Sequence, residues 1–237
     1  IESRWGGWYV TGRTGTGPHV GNTIAADADE PVLRIDETNL NLHSVEDRFD
    51  TTGYLAPYSD VAALMVLEHQ THMTNLLTRT AWEFRVATHE GRLTREIFAA
   101  RRALADPVLT TAVRTLVDYM LFVDEAPLTD AIVGTAGFEA VFAQRGPFDR
   151  LGRSLREIDL NRRLFRYPCS YMIYTAAFTA LPADARSAIY RRLWQVLSAA
   201  DPDPKYARLS HDDRRHVVDI LRDTKPDLPD YFGKVPR

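Results

Sequence analysis

The chain has 237 residues, enough to bury a sizeable core in one large domain, or in one domain with a smaller appended lobe. A formal net charge of −3 argues against a general nucleic-acid binder, which needs a basic excess, and 45% hydrophobic with 26% charged residues is the content of an ordinary globular protein. Cys169 is the sole cysteine, which excludes an internal disulfide, a cysteine-based zinc site and a C-x-x-C-H heme attachment within these residues.

No run reaches the roughly 18 apolar residues of a membrane span. The chain opens at Ile1 rather than Met, and the expectation is a processed chain or a fragment. Residues 1–58 read as an irregular, Gly/Trp-rich lobe. Trp5, Trp8, Tyr9 and Val10 suggest a short strand, Gly12, Gly15, Gly17, Pro18 and Gly21 punctuate a loop, and residues 32–35 suggest a second strand. That is too little strand for an independent sheet, so the lobe is expected to pack on helices.

From residue 59 to 237 the pattern is helical. Pro57 with Ser59 or Asp60 starts a long helix that Gly91 closes. Further helices are predicted over 94–105, 108–123, 138–144, 154–165, 170–179, 184–199 and 210–223, before a proline-rich tail. The fold class is mainly α, an irregular helical bundle carrying the small N-terminal lobe.

The first helix holds the most telling chemistry. Glu68, His69 and His72 fall among Val61, Leu64, Met65 and Leu76 within a stripe of roughly 140°. Polar groups on an apolar stripe need partners: a metal, a cofactor or a buried network. His69 and His72 at i,i+3, and Glu68 and His72 at i,i+4, are compatible with a divalent metal. The spacing is not H-E-x-x-H, and the competing reading is a buried network with Arg79 and Glu83.

Two other stretches stand out. The loop T-G-R-T-G-T-G-P-H-V-G-N has no G-K-[ST] and opens no helix, so it reads as a rigid turn. Its His19 is either a ligand or a hydrogen-bonded structural histidine. Residues 145–166 hold seven arginines, of which Arg145, Arg150 and Arg153 suit an anionic ligand or an acidic partner. The alternative is a loop pinned by ion pairs to the acidic stretch at Asp124 and Glu125. Cys169, in Y-P-C-S-Y, reads as a buried structural thiol, and no G-x-S-x-G elbow surrounds Ser154 or Ser170.

The strings R-W-G-G-W-Y-V-T-G, H-V-G-N, S-D-V-A-A-L-M-V-L-E-H-Q, F-V-D-E-A, G-R-S-L-R, R-L-F-R-Y-P-C-S-Y and D-T-K-P-D-L-P span essentially the whole chain. Together they resemble the C-terminal region of bacterial c-type-cytochrome-like exported proteins. The resemblance implies a periplasmic or otherwise exported, redox-associated protein whose partner is a c-type cytochrome domain or a redox protein. The heme-attachment motif of that group lies outside these residues. Where the related pattern follows E-H-Q with T-R-M-H-N, this chain has T-H-M-T-N, so Glu68 and His69 carry over and His72 does not. His69 and His19 are then the pair expected to bind heme or orient a group that does. Three functions follow as expectations: an accessory part of a heme-protein system, a heme- or metal-dependent oxidoreductase, or an interaction module using the arginine loop.

Overall fold

The computed structural model describes residues 9–15, 21–22, 41–93 and 106–233. As the sequence predicts, the chain is mainly α. Among the described residues there are six α-helices and no strands, with isolated bridges that include Thr11–Leu42, Thr11–Asp60 and Arg13–Val133. The strand expected at Tyr9 and Val10 does not form. Trp5, Trp8, His19, residues 32–35 and the helix expected over 94–105 lie outside the described residues.

Helix α1 (Val61–His89) starts where the sequence places it. The Asp60 carboxylate accepts the N–H groups of Ala62 and Ala63 at 2.8 and 3.2 Å, satisfying two donors that a helix start leaves open. At the other end Gly91 takes φ +70°, and the Arg92 N–H returns to the Ala87 carbonyl at 2.9 Å. Along the helix Ala62, Val66, His69, Met73, Leu76, Thr80, Phe84 and Ala87 are buried at steps of three or four residues. The remaining helices are α2 (Pro107–Met120), α3 (Phe138–Ala143), α4 (Ala176–Thr179), α5 (Ala183–Leu197) and α6 (His211–Thr224).

The contacts divide the chain into two compact units. The first comprises residues 1–68, 126–145 and 158–164, and the second 69–125, 146–157 and 165–237. In the first, Thr11 is wholly buried and its backbone pairs with Ser59 and Val61 at the α1 start. Gly12 is required here. Its φ is +131°, and a Cβ would stand 2.5 Å from Val61 Cγ1. The second carboxylate oxygen of Asp60 accepts the N–H groups of Thr135 and Ala136 at 2.7 and 2.8 Å, so one side chain caps α1 and clasps the chain before α3.

In the second unit α5 packs against both α2 and α6. Leu109, Val113, Leu116, Val117 and Met120 supply the α2 face, Ile189, Leu193 and Val196 the α5 face, and Val217, Ile220 and Leu221 the α6 face. Each is at most 2% exposed, so this is a dry core. The caps follow the sequence rules: Asp106 before Pro107 opens α2, and Ser210 with Asp213 forms a reciprocal capping box on α6. A polar chain crosses this unit. Arg192 binds Asp201 at 2.6 Å and the Tyr206 hydroxyl at 2.6 Å, the hydroxyl donates to Asp118 at 2.5 Å, and Lys205 closes on Asp118 at 2.6 Å.

The helix expected over 154–165 is absent, and local side chains explain why. Glu157 accepts the Ser154 N–H, the Ser154 hydroxyl accepts the Arg156 N–H, and Asp159 accepts the Asn161 N–H. These bonds offer the backbone an alternative to the helical ladder. Leu160, at φ +53°, then turns the chain out of any right-handed helix. The helix expected over 170–179 resolves into a 3₁₀ turn, Tyr171–Tyr174, followed by α4.

Candidate functional site

Of Glu68, His69 and His72, only His69 is buried, at 3% exposure, while Glu68 and His72 are exposed. The expected shared stripe is therefore corrected. Glu68 and His72 sit about 100° and 60° to the same side of His69 around the helix, enough to leave the buried line. His69 Nε2 lies 2.7 Å from Ser170 Oγ. That hydroxyl also accepts the Met172 N–H at 3.2 Å as the cap of the 3₁₀ turn, leaving its proton to donate to the imidazole.

Aromatic rings enclose the pair. Phe122 and Tyr119 stack on His69 at centroid distances of 4.8 and 5.3 Å, and Phe165 meets it edge-on at 5.7 Å. Tyr171 stands at 6.2 Å with the Arg156 guanidinium 4.3 Å over its own ring. Phe122 reaches this position at φ +56°, in the left-handed site that usually takes glycine after a helix. Burial, with the nearby His72 charge acting in the same direction, lowers the His69 pKa from 6.5 to about 4. The ring is neutral at neutral pH.

A serine beside a neutral imidazole is the pairing that drives acyl transfer, yet Ser170 is 0% exposed and its oxygen is committed to the cap. The geometry is that of a satisfied core histidine. Nor do Glu68, His69 and His72 as placed fit a metal ion or heme iron. Two are exposed, with the His72 ring lying 4.3 Å from that of Tyr119, the third is turned to Ser170, and among the described residues no group of three or more His, Cys, Asp or Glu side chains is placed to hold an ion. Cys169 is buried with its thiol pushed up to about 12 by burial, as expected of a structural thiol, and the Ser154 hydroxyl is buried against the Arg156 N–H.

The arginine stretch behaves differently. Asp149, 6% exposed, accepts the N–H groups of Leu151 and Arg153 and the Arg153 Nε at 2.9, 2.7 and 2.7 Å. Burial pushes this carboxyl up, but the Arg153 and Leu151 bonds outweigh it and hold it below its ordinary value. Arg153 also faces Asp219 at 3.8 Å. It is a structural cation. Arg150 is different, with a side chain 78% exposed and only a loose pairing with Asp223 at 3.7 Å. Phe148 and Leu151 beside it are 50% and 69% exposed. Arg145 is exposed and belongs to the first unit, whereas Arg150 and Arg153 belong to the second. Arginines of the stretch pair with Asp149, Glu157, Asp159, Asp219 and Asp223, and Glu125 faces Arg208.

Sequence reasoning missed Ser170 as the partner of His69 and missed the ring enclosure. Both depend on residues 50 to 102 positions from His69, which periodicity does not register. Asp149 carried a readable signal, an aspartate three residues before a glycine in P-F-D-R-L-G. No family model, curated protein or solved structure matches this chain.

Proposed function

We propose that this chain is an interaction module, an accessory part of an exported heme-protein system, that docks an acidic partner surface through the turn at 146–153. The observation that carries the reading is a turn fastened from within by the Asp149 carboxylate while holding Phe148, Arg150 and Leu151 in water. A preorganised turn loses little conformational entropy on binding, and an arginine flanked by apolar side chains is the composition of interface anchors. The sealed His69–Ser170 pair supports a non-catalytic role. The setting in an exported heme-protein system rests on the sequence resemblance alone.

The test separates the two arginines. Arg150→Glu should weaken binding of an acidic probe peptide of alternating glutamate and leucine by about tenfold, with an unchanged melting temperature and a response that fades with salt. Arg153→Ala should instead lower stability, by about 1–2 kcal/mol, because it frees a buried carboxylate. Probe binding unaffected by Arg150→Glu would sink the docking reading.

A further inference from the structure

We propose that the loop at residues 45–57 is a second docking surface, for a cationic peptide segment that lays lysine or arginine side chains against Phe49 and Tyr54. The loop is closed at its base, where the Val45 N–H binds the Pro57 carbonyl at 2.9 Å and the Ser44 hydroxyl binds the same carbonyl at 3.3 Å. Val45 is 4% exposed and anchors that base. Within the loop the Arg48 and Phe49 N–H groups return to Val45, Tyr54 N–H returns to Thr51, and Asp50 holds both the N–H and the hydroxyl of Thr52. This is a compact loop with joined ends, a form that often carries function.

What the loop displays is unusual for a surface. Four of the eleven exposed large apolar side chains among the described residues fall within ten positions: Phe49 38%, Tyr54 67%, Leu55 109% and Tyr58 43%. Three rings form a series, with Tyr9 stacked on Phe49 at 5.9 Å and Tyr54 set edge-on to Phe49 at 5.5 Å. An exposed cluster of this kind marks an interaction site. The charges choose the occupant. Glu46, Asp47 and Asp50 stand in the loop against the single cation Arg48. Carboxylates beside aromatic faces attract a guanidinium or ammonium twice, by charge and by the ring quadrupole. The same carboxylates repel nucleic acid and anionic lipid, so a basic segment of a partner protein fits best. The surface is independent of the arginine turn, whose charge preference is the opposite.

Calorimetric titration with hexa-arginine and with hexaglutamate tests this. Hexa-arginine should bind, and hexaglutamate should not compete at this loop. Tyr54→Ala, which changes no charge, should weaken hexa-arginine about fivefold, as loss of one cation–ring contact predicts, while Tyr54→Phe keeps the affinity. Phe49→Leu retains an apolar side chain without its ring and should weaken binding similarly, which covers the case of a Tyr54→Ala protein that does not fold. Arg150→Glu should leave hexa-arginine binding no weaker. If hexa-arginine binds the Tyr54→Ala and Phe49→Leu proteins as it binds the parent, only net charge is at work and the proposal is wrong. It is equally overturned if phosphatidylcholine vesicles, and not hexa-arginine, bind in a Tyr54-dependent way, since the surface would then be a membrane contact.

Discussion

His69 is held neutral by its surroundings, and that fixes how acid should act on the protein. An unfolded imidazole titrates near 6.5, whereas the folded one titrates near 4. Between those values the unfolded chain binds the proton and the native chain does not, so stability rises with pH across this window. The His69 contribution is fully present above pH 6.5 and is lost as pH falls toward 4, by about 3 kcal/mol in all. The His69→Phe protein should show a flatter stability profile between pH 6.5 and 4 in urea titrations, because phenylalanine suits the ring enclosure and carries no proton. An equally steep profile in that variant would place the acid-sensitive group elsewhere. Phe122 illustrates a related balance at single-residue scale. Its left-handed backbone costs about 1–2 kcal/mol, offset by burying a ring to 8% exposure against His69.

At the scale of the element, Asp60 joins two segments. One carboxylate receives four backbone N–H groups, two at the start of α1 and two from Thr135 and Ala136. Asp60→Ala should cost about 2–4 kcal/mol by thermal or denaturant unfolding, more than a simple cap loss, because both sets of donors lose their acceptor. Asp60→Asn keeps one oxygen for the cap while turning an amide toward the other donors, so its cost should fall between Ala and the parent. Equal stability of the Asn and parent proteins would mean that the clasp on 135–136 contributes nothing. Helices were legible in the sequence where the apolar period was sustained: with the Asp60 start and Gly91 stop for α1, and over 108–123, 184–199 and 210–223 for α2, α5 and α6. They were misread at 154–165, where the apolar spacing is helical but Ser154, Glu157 and Asp159 tie the backbone locally. Among the candidate site residues, the sequence singled out His69 but placed Glu68 and His72 beside it, because a wide apolar stripe does not reveal which line within it is buried. Arg150 and Arg153 looked equivalent and are not, since the Asp149 turn that separates an anchored guanidinium from an exposed, loosely paired one is a tertiary fact.

Over the whole molecule, the two compact units are discontinuous in sequence, with 126–145 and 158–164 returning to the first unit after the chain has entered the second. That interleaving leaves no trace in composition, where the only visible change is the one from irregular to helical near residue 58. The sole thiol sits in one unit, completely buried, with its reactivity suppressed by burial. Cys169 is thus a built-in clock for the opening of residues 69–125, 146–157 and 165–237. Alkylation by iodoacetamide should be negligible in the native protein, because the thiolate is scarce and shielded. In a urea series the labelling rate should rise with the loss of far-ultraviolet helix signal if the chain opens as one cooperative body. Should ellipticity fall while the thiol stays silent, the first unit melts alone and one free energy does not describe this protein.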